Sequence, residues 1–326
     1  MLKLNDLVPL NLEEEKAKFF ASNFTYNPQF TYATKIDQQE LLKYGKPKFW
    51  YLFLAKKILH KYKKNQAILK KNDAEREFLS HSEIKTALEE HLDHYDLKDV
   101  YRIDFSTDFV SRISVKNESK IIKVKLPVLI EKKELEATLA HEIDTHVLRQ
   151  LNYEQQIWYK KKKRYGLRSH LRTEEGLAVI NEMIASDQQL AYKTALNYLA
   201  IDLALKKDFA SVFDFFYKFT GDAERSWLWA MKKKRGLSDT SRKGAFTKDV
   251  VYFEGFVEAL NYLRKNNYYP SKLYYGKIDL RDIAKTESIG VKQPIVLPQV
   301  FTNDPDRYKK SIHQMALENL SLLRFL

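Results

Sequence analysis

Apolar residues recur at helical spacing along most of the chain and alternate in only two short stretches. Ile84, Leu88 and Leu92 fall on one face of a helix over 80–95. Residues 100–105 (V-Y-R-I-D-F) and 122–126 (I-K-V-K-L) alternate as strands with one polar face do. Pro127 follows directly, which suits a strand end or a sheet edge. From Glu131 the helical period returns through Leu135, Leu139, Ile143 and Val147. Beyond Leu171 the pattern stays mostly helical to about Lys265 and then breaks into Pro-containing loops. Earlier, Phe49, Leu52, Phe53 and Leu59 supply the apolar positions of an amphipathic helix, with Lys56 and Lys57 as its charge. No internal repeat or low-complexity linker interrupts the pattern. It predicts a single α+β domain over 1–326, mostly helix with a small sheet, whose residues 1–75 form a basic, aromatic helical subregion.

Composition narrows the chemistry. The chain has 326 residues, 44% hydrophobic and 30% charged, an ordinary globular balance. Nine Gly and eight Pro argue against Gly-rich phosphate loops and turn-dense all-β folds. Cysteine is absent, which excludes disulfides, thiolate nucleophiles and sulfur-bound zinc, so a metal would need His and carboxylate ligands. The start lacks the apolar core of a signal peptide, and the longest apolar run, 49–55, is far short of a membrane span. A soluble, cytoplasmic protein without a transmembrane segment is expected. The net charge is +13, and residues 41–71 hold ten Lys and no acid. A helix there could touch a membrane surface or an acidic partner, but a core-packed helix with a solvated basic face is the expectation.

One motif carries chemistry. A-H-E-I-D-T-H holds His141, Glu142 and His146. Zinc peptidases commonly place two imidazoles at i and i+4 of one helix, with a carboxylate beside the first to take a proton from water. Here the second His stands at i+5, about 140° around an ideal helix. A one-residue π-bulge would bring the rings to one side, and such bulges favour functional sites. A second motif, T-E-E-G-L-A-V-I-N-E at 173–182, places Thr173 as a helix N-cap with Glu174 and Glu175 in the first turn. A carboxylate there would complete a two-His, one-Glu zinc site with an open fourth position; ordinary first-turn acids are the plain alternative. Gly176 is unfavourable early in a helix unless a backbone or a metal approaches closely.

H-E-I-D-T-H followed by T-E-E-G-L-A resembles the tyrosine/phenylalanine carboxypeptidase family of zinc metallopeptidases, which includes microtubule-associated members and bacterial Q-E-G-L-A proteins. K-R-G-L at 234–237, F-T-K-D-V-V-Y-F-E-G at 246–255 and N-P-Q-F-T-Y at 27–32 are similar to the family as well. Asp144 stands where Gly is often found, and Glu174 where Gln is common. The resemblance implies a zincin-like α+β metallopeptidase with the sheet beside the H-E-x-x-x-H helix and residues 76–326 as the catalytic part. It implies one zinc held by His141, His146 and Glu175, with Glu142 as general base. Glu182, seven residues beyond Glu175 and on its side of the helix, would orient a ligand histidine.

The expected reaction is removal of a C-terminal Tyr or Phe from a peptide or disordered protein tail, acidic tails included; tubulin enters only for a eukaryotic source. Tyr252, four residues after Lys248 on a helix capped by Thr247, is the candidate oxyanion donor. Arg235, ahead of Gly236, is the candidate for the substrate carboxylate, with Lys248 next; the run K-K-K-R could equally be solvated charge. The strand 122–126 could be the edge that pairs with the substrate backbone, with Lys123 and Lys125 suiting an acidic tail. The alternatives are an endo- or aminopeptidase on the same zinc frame and a non-enzymatic basic binding protein. A nucleic-acid binder would use the same basic runs, but the chain has no C-x-x-C, no RNP-type strand and no helix-turn-helix signature.

Overall fold

The protein is described by a computed structural model covering residues 4–69, 77–107, 112–128 and 130–320. Its contacts divide the chain into two compact units, each built from two separate stretches of sequence. One comprises Met1–Asn65 and Tyr192–Phe253, the other Gln66–Ala191 and Glu254–Leu326. Of the N-terminal subregion expected at 1–75, residues 1–65 share their unit with residues 192–253. Helices dominate, and the strands of the described residues form one three-stranded sheet, an α+β arrangement. Among the described residues no helix is long and apolar enough to cross a membrane.

The first unit is held by rings. Phe19, on helix Leu12–Ala21, meets Phe209, Phe213 and Trp227 at centroid distances of 5.2, 4.8 and 5.1 Å. Those partners come from helices Phe209–Thr220 and Ala223–Lys234, whose starts are capped by Asp208 and Asp222. Gly221 ends the first of them at φ 68°, a conformation that Gly adopts without a Cβ penalty. Helix Phe49–Leu69 buries Leu54, Ala55, Ile58 and Leu59. Phe49 and Phe53, expected on its packed side, instead point to solvent. The helix carries two apolar stripes, and the aliphatic one is the one that packs.

The second unit contains the sheet: β1 (Arg102–Ser106), β2 (Ile113–Lys116) and β3 (Ile121–Lys125). Their order is β1-β3-β2, with β1 parallel and β2 antiparallel to β3. The strand expected at an edge is therefore central. Both of its backbone sides are paired, so β3, with Lys123 and Lys125, has no edge to offer a substrate. Ile122 and Val124 point from β3 into a core shared with Ile84, Leu88 and Leu92 of helix His81–Asp93 and with Leu139, Ile143 and Val147. Ser80 and Glu83 form a reciprocal capping box at the start of His81–Asp93.

The helix bearing the H-E motif lies in this unit against helix Leu171–Ala185. The latter begins two residues before the expected cap. Thr173 is inside it, and its Oγ1 accepts from the Leu280 N–H at 2.9 Å. Gly176 has a packing reason: a Cβ there would lie 2.0 Å from the Gly255 carbonyl carbon and 2.5 Å from the Phe256 nitrogen. Gly255 is equally constrained, its own Cβ position being 2.0 Å from the Arg172 oxygen. Two glycines thus let two helix backbones touch. Beyond Lys265, where loops were expected, helix Pro305–Leu320 buries Tyr308, Ile312, Met315 and Ala316. Pro305 sits at its first position, where a proline starts a helix rather than breaking it.

Replacing Gly176 with Ala should destabilise the protein by about 1–3 kcal/mol through overpacking, in spite of the better helix propensity of Ala. Urea unfolding measures this; an unchanged midpoint would show that the two backbones separate freely.

Candidate functional site

The i, i+5 spacing is accommodated by the backbone. The segment 135–154 is α-helical at Leu135–His141, π-helical at Glu142–Val147 and α-helical again at Leu148–Glu154. A π turn bonds residue i to i+5, so residues five apart come onto one side. The His141 and His146 rings accordingly have centroids 5.2 Å apart. Side chains satisfy the carbonyls that the widened turn displaces. Thr145 Oγ1 donates to Ala140 O at 3.1 Å, Tyr274 Oη to Asp144 O at 2.9 Å, and Asn117 Nδ2 to His146 O at 3.2 Å. Asn181 Nδ2 donates to both Thr145 Oγ1 and Tyr274 Oη at 2.8 Å. Buried backbone carbonyls need such partners; here Thr145 and three residues from three other segments supply or support them.

His141, His146 and Glu175 come together. One ligand atom from each lies within 4.8 Å of the others, and Glu175 Oε2 is 3.8 Å from His146 Nε2. The far nitrogens of both rings are held by carboxylates: His141 Nδ1 by Glu182 Oε2 at 3.1 Å and His146 Nδ1 by Glu174 Oε1 at 2.9 Å. Each ring is thereby oriented with Nε2 towards the shared space. Two imidazoles and one carboxylate are the protein ligands of an open catalytic metal site, with a fourth position for water or substrate. The donor set therefore fits a divalent cation. Burial alone would depress the His141 imidazole, but the Glu182 hydrogen bond and the charges of Glu142, Glu182 and Glu175 hold it up at about 9. The surroundings of this imidazole favour positive charge.

Glu174 has a part that the sequence reading did not assign. Beyond His146 it meets Arg149 Nη1 at 3.2 Å and Lys277 Nζ at 3.2 Å, with His170 Nε2 at 3.8 Å. Burial would raise its carboxyl, yet the Lys277 charge and the His146 hydrogen bond hold it well below the usual range. Glu174 is thus a fixed anion behind His146. Burial pushes His170 down to about 3, so it stays neutral, and pushes the adjacent Lys162 amine down to about 8. Arg149 itself is fully buried and donates to the carbonyls of Leu273 and Ile278. Its position three residues after His146 was the available signal; its partners, more than a hundred residues away, gave none.

Asp144 turns inward. Its Oδ1 lies 2.7 Å from His91 Nε2 and accepts from Tyr95 Oη at 2.8 Å, while Oδ2 accepts from the Val300 N–H at 3.3 Å. It ties the π turn to helix His81–Asp93 and to helix Gln299–Thr302. It takes no place among the clustered ligands.

Arg235, Lys248 and Tyr252 belong to the first unit, and the triad to the second. Arg235 is no solvated charge: it is nine-tenths buried, with its guanidinium 4.6 Å over the Phe246 ring, and its Nε has no hydrogen-bond partner among the described residues. Lys233 and Lys234 are buried too, Lys233 against Asp249 and Lys234 on the carbonyls of Ala204 and Arg242. Lys248 Nζ lies 5.6 Å over the Tyr252 ring, so that pair shares a side as the spacing suggested. Thr247 is not a cap; it is buried and donates to Leu41 O at 3.0 Å.

Fold and site together define an α+β protein in which two histidines of a π-turned helix cluster with a glutamate of the neighbouring helix. The family model described as microtubule-associated tyrosine carboxypeptidase matches residues 39–316. Human microtubule-associated tyrosine carboxypeptidase 1 is 30% identical over 327 residues, which covers 96% of this chain and 68% of the human protein. The rat and mouse proteins of that name are each 28% identical over 325 residues, with the same coverage. The chain belongs to the microtubule-associated tyrosine carboxypeptidase family.

Changing Glu182 to Ala removes the carboxylate behind His141 and should weaken metal binding by about 10–100-fold. Competition with a chromophoric chelator reads this directly; an unchanged affinity would show that Glu182 does not orient the ring.

Proposed function

We propose that the protein is a zinc-dependent carboxypeptidase that removes a C-terminal aromatic residue, Tyr or Phe, from a peptide or disordered protein tail. The observation that carries the proposal is the His141, His146 and Glu175 cluster, with both imidazoles backed by carboxylates, in a chain of this family. Zinc, when bound, supplies a Lewis acid that polarises the scissile carbonyl and makes a water nucleophilic near neutral pH.

The chain's own residues do the rest. Glu142, beside His141 at the start of the π turn, takes the proton from the attacking water and returns it to the leaving amine. Glu182 and Glu174 keep the two imidazoles in one orientation throughout. In the sheet, β2 is the outer strand next to β3, and the adjoining Asn117 is hydrogen-bonded to the His146 carbonyl. Its outer backbone edge, rather than that of β3, is the one beside the site that can pair with an extended substrate. The +13 charge favours encounter with acidic tails, more strongly at low salt. The names of the relatives attach them to microtubules and to tyrosine; for this chain the substrate class is a protein tail ending in an aromatic residue, met in the cytoplasm.

Zinc-loaded protein should release one terminal Tyr or Phe from free-acid peptides and nothing from their C-terminal amides, as read by mass spectrometry. Glu142→Gln should keep one zinc per chain and lose activity by about 10²–10⁴-fold. Internal cuts, or equal cleavage of the amides, would overturn the carboxypeptidase assignment.

A further inference from the structure

Helix Phe49–Leu69 presents a second face that its own unit does not use. Opposite the buried stripe of Leu54, Ala55, Ile58 and Leu59, the exposed residues are Phe49, Trp50, Phe53, Lys56, Lys57, His60, Lys63 and Lys64. Positions 49, 53, 56, 60 and 63 follow one another at intervals of four and three, so these residues form one continuous stripe. Its first turn is aromatic: Phe49 is 72%, Trp50 58% and Phe53 46% exposed. The next three turns are basic. The whole stretch 41–71 contains no acidic residue. The first turn has a firm base, because the Lys48 N–H donates to the buried Tyr198 hydroxyl at 2.7 Å.

We propose that this face docks on an anionic lipid surface. Three adjacent large rings exposed at one end of a helix, followed by lysines along the same face, match an interfacial helix: rings enter the boundary of headgroups and acyl chains, and ammonium groups meet anionic headgroups. Lysine stems are long enough to lie along the apolar boundary with their charges in the headgroup layer. Each Lys near such a surface adds to the attraction, so four on one face make a substantial electrostatic share. Lys57 Nζ already sits 5.4 Å from the Phe53 ring centre, so charge and ring act at one place. The stripe lies on the outside of a helix, a convex shape that suits a deformable surface better than it suits a peptide, which takes a groove or a sheet edge. A second copy of the chain is disfavoured, because two such faces would bring lysine against lysine.

The test is sedimentation of the full-length chain with vesicles of phosphatidylcholine alone or mixed with phosphatidylserine, at two salt concentrations. Binding to the mixed vesicles should exceed binding to neutral ones at least tenfold and fall as salt rises. The triple variant Phe49→Ala/Trp50→Ala/Phe53→Ala should bind at least tenfold more weakly at an unchanged melting temperature. Trp50→Ala alone, a smaller change, should lose part of the binding. The triple variant Lys56→Glu/Lys57→Glu/Lys64→Glu should lose the preference for anionic vesicles. Absence of binding to the mixed vesicles would overturn the proposal. So would ring variants that bind like the parent, since the net charge alone would then be responsible. Binding of polyglutamate through these residues without vesicle binding would assign the face to an acidic polypeptide, and ring-dependent dimerisation would assign it to a second copy.

Discussion

One residue of excess spacing organises the second unit. His141 and His146 stand five apart, and an α-helix would aim them roughly 140° from each other. The π turn at Glu142–Val147 removes that divergence at the cost of regular backbone pairing. What surrounds the turn answers that cost. Asn117 and Tyr274 donate to carbonyls of the turn and Thr145 to the Ala140 carbonyl just ahead of it, and Asn181 braces two of those donors. The Asp144 side chain fastens the same turn to Tyr95 and to the backbone of Val300. A buried polar network of this kind is stabilising only when its members are paired. The π turn and its pairing are therefore one device.

Close helix packing completes the cluster. Gly176 and Gly255 allow the backbones of Leu171–Ala185 and Val250–Lys265 to touch, and a side chain at either would push them apart. Helix Leu171–Ala185 carries Glu174 and Glu175 side by side and Glu182 two turns on, so its placement decides three contacts at once. Glu175 joins the histidines, while Glu174 and Glu182 stand behind them. Arg149 and Lys277 then neutralise Glu174, which lets a carboxylate remain ionised in a buried position.

Much of this arrangement was legible in the sequence, and the rest was hidden for identifiable reasons. The helix at His81–Asp93 announced itself through its apolar period. The H-E-x-x-x-H spacing asked for a π turn, and Gly176 asked for a close approach. Strand β2 was missed because I-S-V-K alternates over only four residues. The central place of β3 was missed because its parallel partner β1 is joined through intervening chain, and sheet order leaves no local trace. The run K-K-K-R was open to a reading as solvated charge, yet its last three residues are buried by distant carbonyls, a carboxylate and an aromatic ring. Glu174 was read as a dipole acid or a ligand because its partners Arg149 and Lys277 meet it only in the folded chain.

The central claim is that the π turn delivers two imidazoles and Glu175 to one ion. X-ray absorption at the zinc edge, on protein loaded with one equivalent, tests it most directly. The expected spectrum has two imidazole nitrogens among oxygen donors in a four- or five-coordinate shell, and it should collapse to that of aqueous zinc in His146→Ala. A parent spectrum with one imidazole or none, or an unchanged shell in His146→Ala, would contradict the claim.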